Sequence, residues 1–116
     1  MKIKYHNKKI ETLCTDYGKA KMQLGQEVAT KLFAAVSYIG SAESLQDIKN
    51  YSPYNLHLLA GQRKGQYAID LGRKLGFRLI IIPLNENDEE WVATQEQDLL
   101  KATKVVIIWE VNNHYE

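Results

Sequence analysis

The chain has 116 residues, 45% of them hydrophobic, which is enough for one working core and too little for a second. It has no apolar run that could cross a bilayer, and its first residues, MKIKYHNKK, lack the apolar segment of a signal peptide. A single cysteine, Cys14, excludes a disulfide framework and is predicted to be a buried small hydrophobe rather than a nucleophile. We therefore expect one cytoplasmic domain over residues 1–116, with no membrane contact.

The formal net charge of +1 hides two parts of opposite sign. Residues 1–83 hold 13 Lys and Arg against 6 Asp and Glu, whereas residues 84–100 hold no basic residue and 6 acidic ones. A basic body attracts polyanions through Coulomb forces and counterion release. The sequence thus predicts a basic domain that carries an acidic insertion.

The N-terminal half predicts one short strand and three helices. Residues 2–5 alternate Lys, Ile, Lys and Tyr, which is the strand period. Apolar residues at helical spacing predict a first helix over residues 8–17 and a longer one over residues 20–39, and a third, short helix fits residues 42–48. The expected helix boundaries are two glycines and a capping serine, Gly18, Gly40 and Ser41.

Three β-like runs joined by two short cationic loops follow the helices. The runs alternate with period two and cover residues 56–59, 67–71 and 77–82. Glycines bracket Gln62-Arg63-Lys64 and Arg73-Lys74-Leu75, as expected for turns between antiparallel strands. The pattern predicts an antiparallel meander whose third strand is closed by Pro83.

The rest of the chain predicts a surface helix and a last strand. The acidic insertion, residues 84–103, has the spacing of a short amphipathic helix from Trp91 to Leu100. Residues 104–111 are the strongest strand signal, and the face expected to contact the helices consists of Val105, Ile107, Trp109 and Val111. The order of elements predicts an α+β domain in which two to three N-terminal helices cover one face of a mostly antiparallel sheet of four to five strands.

Strand parity collects polar residues on the other face of this sheet. If Leu58, Leu79 and Trp109 are buried beneath the helices, the residues that point to the opposite face are His57, Arg78, Asn112 and His114. The turn that carries Arg63 and Lys64 lies beside them. An arginine between apolar neighbours in a strand is costly to desolvate, which suggests that it has a function there. We expect the Arg78 guanidinium to bind a phosphate.

These motifs resemble a known family. The run His57-Leu-Leu-Ala-Gly-Gln-Arg-Lys-Gly-Gln-Tyr-Ala-Ile-Asp70, then Phe77-Arg78-Leu79 and a last strand ending near His114, resembles the HigB-like "plasmid maintenance killer" branch of the RelE/ParE toxin superfamily. The resemblance covers residues 2–83 and resumes at residue 104. Where the family ends Asp-Tyr-His, this chain has Asn112-Asn113-His114, with a ring at the next position, Tyr115.

The resemblance implies the toxin of a type II toxin–antitoxin system, an endoribonuclease (mRNA interferase) that cuts mRNA on the ribosome without a metal or other cofactor. Cleavage through the 2′-hydroxyl requires a base, an acid and a group that stabilises the charge on the phosphorane. The resemblance gives the acid and base roles to His57 and His114 and makes Arg78 the third catalytic residue. The other residues predicted to contact RNA or its phosphates are Arg63, Lys64, Asn112 and Tyr115.

The resemblance also implies partners. They are a cognate helix-turn-helix antitoxin, the ribosome and mRNA, with operator DNA contacted only through the antitoxin complex. Two alternatives stay open. The first is a gyrase-poisoning toxin of the ParE type, and the second is a catalytically decayed toxin that acts only as an antitoxin-binding module, which the Asn112-Asn113 replacement favours.

Overall fold

Five strands form one mixed sheet in the computed structural model, which describes residues 1–113. The strands are β1 (Lys2–Tyr5), β2 (His57–Leu58), β3 (Tyr67–Asp70), β4 (Phe77–Leu84) and β5 (Val105–Asn113). Their order across the sheet is β1-β5-β4-β3-β2, in which β1 is parallel to β5 and the other neighbours are antiparallel. The mostly antiparallel sheet is therefore the one that the order of elements predicted.

Five α-helices within residues 1–113 pack on the sheet. They are α1 (Lys8–Thr15), α2 (Tyr17–Leu24), α3 (Gln26–Ser41), α4 (Leu45–Asn50) and α5 (Glu96–Ala102). Apolar side chains from all five share one core with Leu79, Ile81 and Ile108 of the sheet. Four helices, rather than two or three, precede the meander, and the predicted α+β class is confirmed.

The long helix predicted over residues 20–39 is in fact two helices, α2 and α3, separated by Gly25. Gly25 has φ +86° and ψ 159°, a conformation that is strained for any residue with a side chain. Its N–H donates to the Lys21 carbonyl at the end of α2, and its own carbonyl accepts the N–H of Ala29 in α3. Because the apolar stripe continues across the break, periodicity alone could not locate it.

Polar side chains set the limits of the first two helices. Asn7 caps α1, where its side chain accepts the N–H of Ile10 at 2.9 Å. The Asp16 side chain accepts the N–H of Lys19 at 3.1 Å and so begins α2. For this reason α1 ends at Thr15, two residues before its predicted end.

The boundaries of the later helices also differ from those predicted. α3 continues through Gly40 to Ser41, because Gly40 keeps a helical conformation and does not terminate the helix. α4 begins at Leu45, after Ser44, rather than at residue 42 after Ser41.

The first strand matches its prediction and the second does not. β1 spans residues 2–5, with Ile3 and Tyr5 packed against the core. β2 has only two residues at the edge of the sheet, and there Leu58 is 51% exposed instead of buried beneath the helices. The burial predicted for Leu58 is therefore wrong.

The fourth strand extends beyond its predicted end. β4 runs through Pro83 to Leu84, although Pro83 was expected to close it. Beyond Ile81, β4 pairs with β5 and no longer with β3. Proline has no N–H to donate, but at Pro83 there is no β3 residue that would need that hydrogen bond.

A β-bulge interrupts the pairing of β4 with β5. Ile80 pairs with Glu110, whereas the next residue, Ile81, pairs with Ile108. Trp109 is thus the extra residue on β5 and has no partner on β4. The bulge shifts the side-chain alternation of β5 by one residue.

The bulge overturns part of the predicted facing of β5. Before it, the core residues are Val106 and Ile108, so the prediction is wrong for Val105, Ile107 and Trp109. After it, Val111 packs against the core, as predicted. Asn112 is consequently on the opposite face, where it is in register with Arg78.

The acidic insertion contains a helix, but a later one than predicted. α5 begins at Glu96, whereas the pattern placed the start at Trp91. Trp91 lies in the loop before it, packs against the core, and donates from Nε1 to Thr103 Oγ1 at 3.0 Å. Among the helices of residues 1–113, none is long and apolar enough to cross a membrane.

Cys14 is buried on α1, as predicted, with 3% of its surface exposed. Burial raises the pKa of the Cys14 thiol to about 11. At pH 8 its thiolate fraction is then about 0.1%, against about a quarter for an unperturbed thiol. We expect iodoacetamide to alkylate Cys14 at least ~100-fold more slowly in the native than in the denatured protein. Similar rates in the two states would contradict this.

Candidate functional site

The sheet face opposite the helices carries two adjacent rows of residues in register. One row consists of His57, Ala68, Ile80 and Glu110, and the other of Asp70, Arg78 and Asn112. Residues in register on neighbouring strands share a face. His57, Arg78 and Asn112 therefore lie on one face, as strand parity predicted.

His57 and Arg78 line the same cavity, which has a volume of about 420 Å³. Two strand spacings and two residues along the strands separate them, which places their Cα atoms roughly 12 Å apart. Asp70 and Arg73 also line this cavity. The space between the imidazole and the guanidinium groups has room for a phosphodiester.

Asn55 orients the His57 ring. Asn55 has φ +46°, in the left-handed region that asparagine tolerates better than most residues, and its carbonyl oxygen lies 2.7 Å from His57 Nδ1. Since a carbonyl only accepts, Nδ1 must donate, and the neutral ring then has its lone pair on Nε2. The Asn55 side chain donates to Asp70 Oδ2 at 3.2 Å. His57 is thus held with one nitrogen available as a proton acceptor.

Arg78 is half-buried and held from one side. Its Nε donates to Asn112 Oδ1 at 3.1 Å. Within residues 1–113 this is its only hydrogen bond or ion pair, so its two terminal amino groups are available to a ligand. A guanidinium fixed at Nε presents the paired donors that suit a phosphate.

Arg63, a predicted phosphate contact, is paired with a carboxylate. It forms an ion pair with Glu110 and donates to Gln66 Oε1 at 3.1 Å. To reach Glu110 on β5, Arg63 extends across the sheet from the loop between β2 and β3. The structure therefore does not bring Arg63 to the cavity of His57.

Lys64, the other predicted contact in this loop, is exposed and lines a different cavity, of about 430 Å³, together with Glu90 and Glu96. This cavity lies beside Pro83, near the end of β4, and its lining also includes Leu58 and Tyr67. Lys64 does not line the cavity of His57. The structure therefore does not bring Lys64 together with His57 and Arg78.

Two contacts hold the acidic insertion at that end. Lys4 Nζ lies 3.0 Å from Asp88 Oδ2, and this hydrogen bond with the charge of Lys4 lowers the pKa of the Asp88 carboxyl. Tyr67 Oη donates to Glu96 Oε2 at 3.2 Å, and burial, with the nearby Glu96 carboxylate, raises the pKa of Tyr67.

Three polar residues that line the His57 cavity are not among the site residues predicted from the sequence, namely Asn55, Asp70 and Arg73. The sequence predicts Arg73 only as part of a turn bracketed by glycines, although a basic turn of this kind is itself a signal for an anion site. Asp70 lies beside Arg78 only because of the register between β3 and β4, which no local pattern contains. The role of Asn55 depends on its left-handed backbone, for which the sequence carries no clear signal.

His114 and Tyr115 lie outside the described residues, and their predicted roles stay predictions.

No family model matches the sequence, and a search of curated proteins finds no match. Within residues 1–113, no three or more His, Cys, Asp and Glu side chains are grouped so that they could hold a metal ion. The cavity brings together an imidazole whose Nε2 can accept a proton and two guanidinium groups, those of Arg73 and Arg78.

Proposed function

We propose that the protein is a HigB-like toxin of a type II toxin–antitoxin system, an endoribonuclease that cuts mRNA on the ribosome by metal-independent acid–base chemistry. The observation that supports this proposal is the single cavity lined by His57, Arg73 and Arg78. An imidazole and guanidinium groups supply a base and charge stabilisation, two of the functions that RNA cleavage requires. The sequence resemblance points to the same reaction.

His57 is the general base of the proposed reaction. Its Nε2 lone pair takes the proton of the ribose 2′-hydroxyl, and the 2′-oxygen attacks the adjacent phosphorus. The bond from phosphorus to the 5′-oxygen breaks, and that oxygen takes up a proton as it leaves. The products are a 2′,3′-cyclic phosphate and a 5′-hydroxyl. The resemblance gives the acid and base roles to His57 and His114 as a pair, so with His57 as the base we propose His114 as the donor of this last proton.

Arg78 stabilises the negative charge that develops on the phosphorane. The hydrogen bond from its Nε to Asn112 fixes the plane of the guanidinium before substrate binds. Preorganised donors of this kind stabilise a transition state without a reorganisation cost. Arg73, exposed on the same cavity, adds a second positive charge near the phosphate.

A cognate antitoxin belongs to the same proposal. An active ribonuclease must be neutralised in its own cell, and the basic residues 1–83 offer a surface that complements an acidic or mixed-charge protein. The antitoxin would be a small helix-turn-helix protein, and the complex would contact operator DNA through it.

The proposal is tested by induced expression together with cleavage of a defined mRNA on purified ribosomes. We expect growth arrest, and cleavage that requires ribosomes and leaves 5′-hydroxyl ends. Inhibition of gyrase supercoiling without mRNA cleavage would indicate a ParE-type toxin instead. Normal growth, with antitoxin binding retained, would indicate a decayed toxin.

A further inference from the structure

A second cavity, of about 510 Å³, adjoins the cavity of His57. The two cavities share four lining residues, Asn55, Asp70, Gly72 and Arg73. Together they form one groove, here called the edge groove. It runs from the sheet face opposite the helices to α3, where Lys31 lines its far end.

Tyr51 gives the edge groove an aromatic wall. Its side chain is on the second cavity and the residue is 43% exposed. Two other tyrosine rings hold it, Tyr54 at a centroid distance of 4.8 Å and Tyr38 at 5.3 Å. A ring that is both exposed and fixed offers a stacking surface with little loss of conformational entropy on binding.

The charges of the edge groove are mainly positive. Lys31 and Arg73 are exposed, and neither makes a hydrogen bond or ion pair within residues 1–113. With Arg78 they give three cationic side chains, against the single carboxylate of Asp70, which accepts a hydrogen bond from Asn55. Free cations next to a stacking surface are the combination that binds single-stranded nucleic acid.

We infer that the edge groove binds nucleotides that flank the cleaved bond, with a base stacked on Tyr51 and phosphates on Lys31 and Arg73. The inference rests on the proposed function, which supplies RNA as the ligand and the His57 cavity as the place of cleavage. Stacking on Tyr51 requires a free base face, so these nucleotides are unpaired. The substrate footprint thus continues around the edge of the sheet to α3.

The test measures binding by fluorescence anisotropy to 2′-O-methyl oligouridines of two and eight nucleotides, which cannot be cleaved because the nucleophilic hydroxyl is blocked. For the longer probe, Tyr51→Ala and Lys31→Glu should each raise Kd about 10-fold. For the shorter probe, they should change Kd less than about twofold. Tyr51→Phe keeps the ring and should bind like the wild type. Lys21→Glu makes the same charge change on α2, away from the groove, and is the matched control.

Unchanged binding of the longer probe by Tyr51→Ala and Lys31→Glu would overturn the inference, even if the wild type cleaves mRNA. The expected loss in a wild-type protein that does not cleave mRNA would uphold the groove as an RNA site and reject the proposed function. Unchanged RNA binding with loss of antitoxin binding would make the groove a protein interface and also overturn the inference. Thermal unfolding shows whether Tyr51→Ala is still folded. Lys31→Glu changes an exposed side chain and is expected to fold normally, so the inference can be tested even if Tyr51→Ala is unstable.

Discussion

Arg78→Ala is expected to lower ribosome-dependent cleavage of mRNA by about 10²–10³-fold, the scale for removing one preorganised charge-stabilising group. The guanidinium is half-buried, fixed by Asn112 at Nε and otherwise without a partner in residues 1–113. Its loss removes donors to the phosphorane and leaves the apolar core untouched. The measurement is single-turnover cleavage on programmed ribosomes, with antitoxin binding measured in parallel.

Two further variants make the Arg78 result specific. Arg78→Lys keeps the charge but loses the planar pair of donors, so its rate should lie between those of the wild type and Arg78→Ala. Lys101→Ala removes an exposed positive charge on α5 and should cleave like the wild type. Wild-type cleavage by Arg78→Ala, or a loss that follows its thermal stability, would contradict the assigned role.

The second large effect is expected at His57. His57→Ala removes the proposed base, and general acid–base catalysis typically contributes about 10²–10⁴-fold. Binding of an uncleavable 2′-O-methyl RNA should be nearly unchanged, because the imidazole is assigned to proton transfer and the cationic side chains to binding. Cleavage rate and RNA affinity, measured on the same preparation, separate the two roles.

His6 provides the matched control for His57. His6 is exposed, and its Nδ1 lies 3.3 Å from the Trp109 carbonyl oxygen. Its ring stacks on the Trp109 ring with a distance of 3.5 Å between the ring centroids. His6→Ala removes an exposed imidazole outside the cavity and should leave cleavage unchanged. An equal loss of activity in the two variants would mean that the effect at His57 is not specific to its position.

The fold class and part of the site could be predicted because they depend on local periodicity. The alternation around Arg78 placed its side chain opposite the helices, and the register of β4 with β5 places Asn112 beside it. Around β2 the alternation correctly predicts that Leu56 is buried and that His57, which is half-buried, lies on the other face, but it wrongly buries Leu58. Patterns of two or three residues contain this information.

Contacts between distant parts of the chain could not be predicted in this way. Arg63 and Glu110 are far apart in sequence, and their ion pair depends on the order of the strands. The carbonyl that orients His57 depends on the left-handed backbone of Asn55, and the division of the long helix depends on the conformation of Gly25. The orientation of His57 and the division of the helix each depend on the backbone conformation of one residue, and the hydrophobic pattern does not encode that conformation.

The bulge at Trp109 determines where β5 can change in length. Removing Trp109 would leave a strand of strict alternation in which Ile108 and Val111 still face the core and Asn112 still lies beside Arg78. Removing Val106 or Ile107 while the bulge is kept would instead exchange the two faces of β5 on one side of the cut. Trp109 is therefore the position in β5 at which a related chain can be one residue shorter and still present the same site.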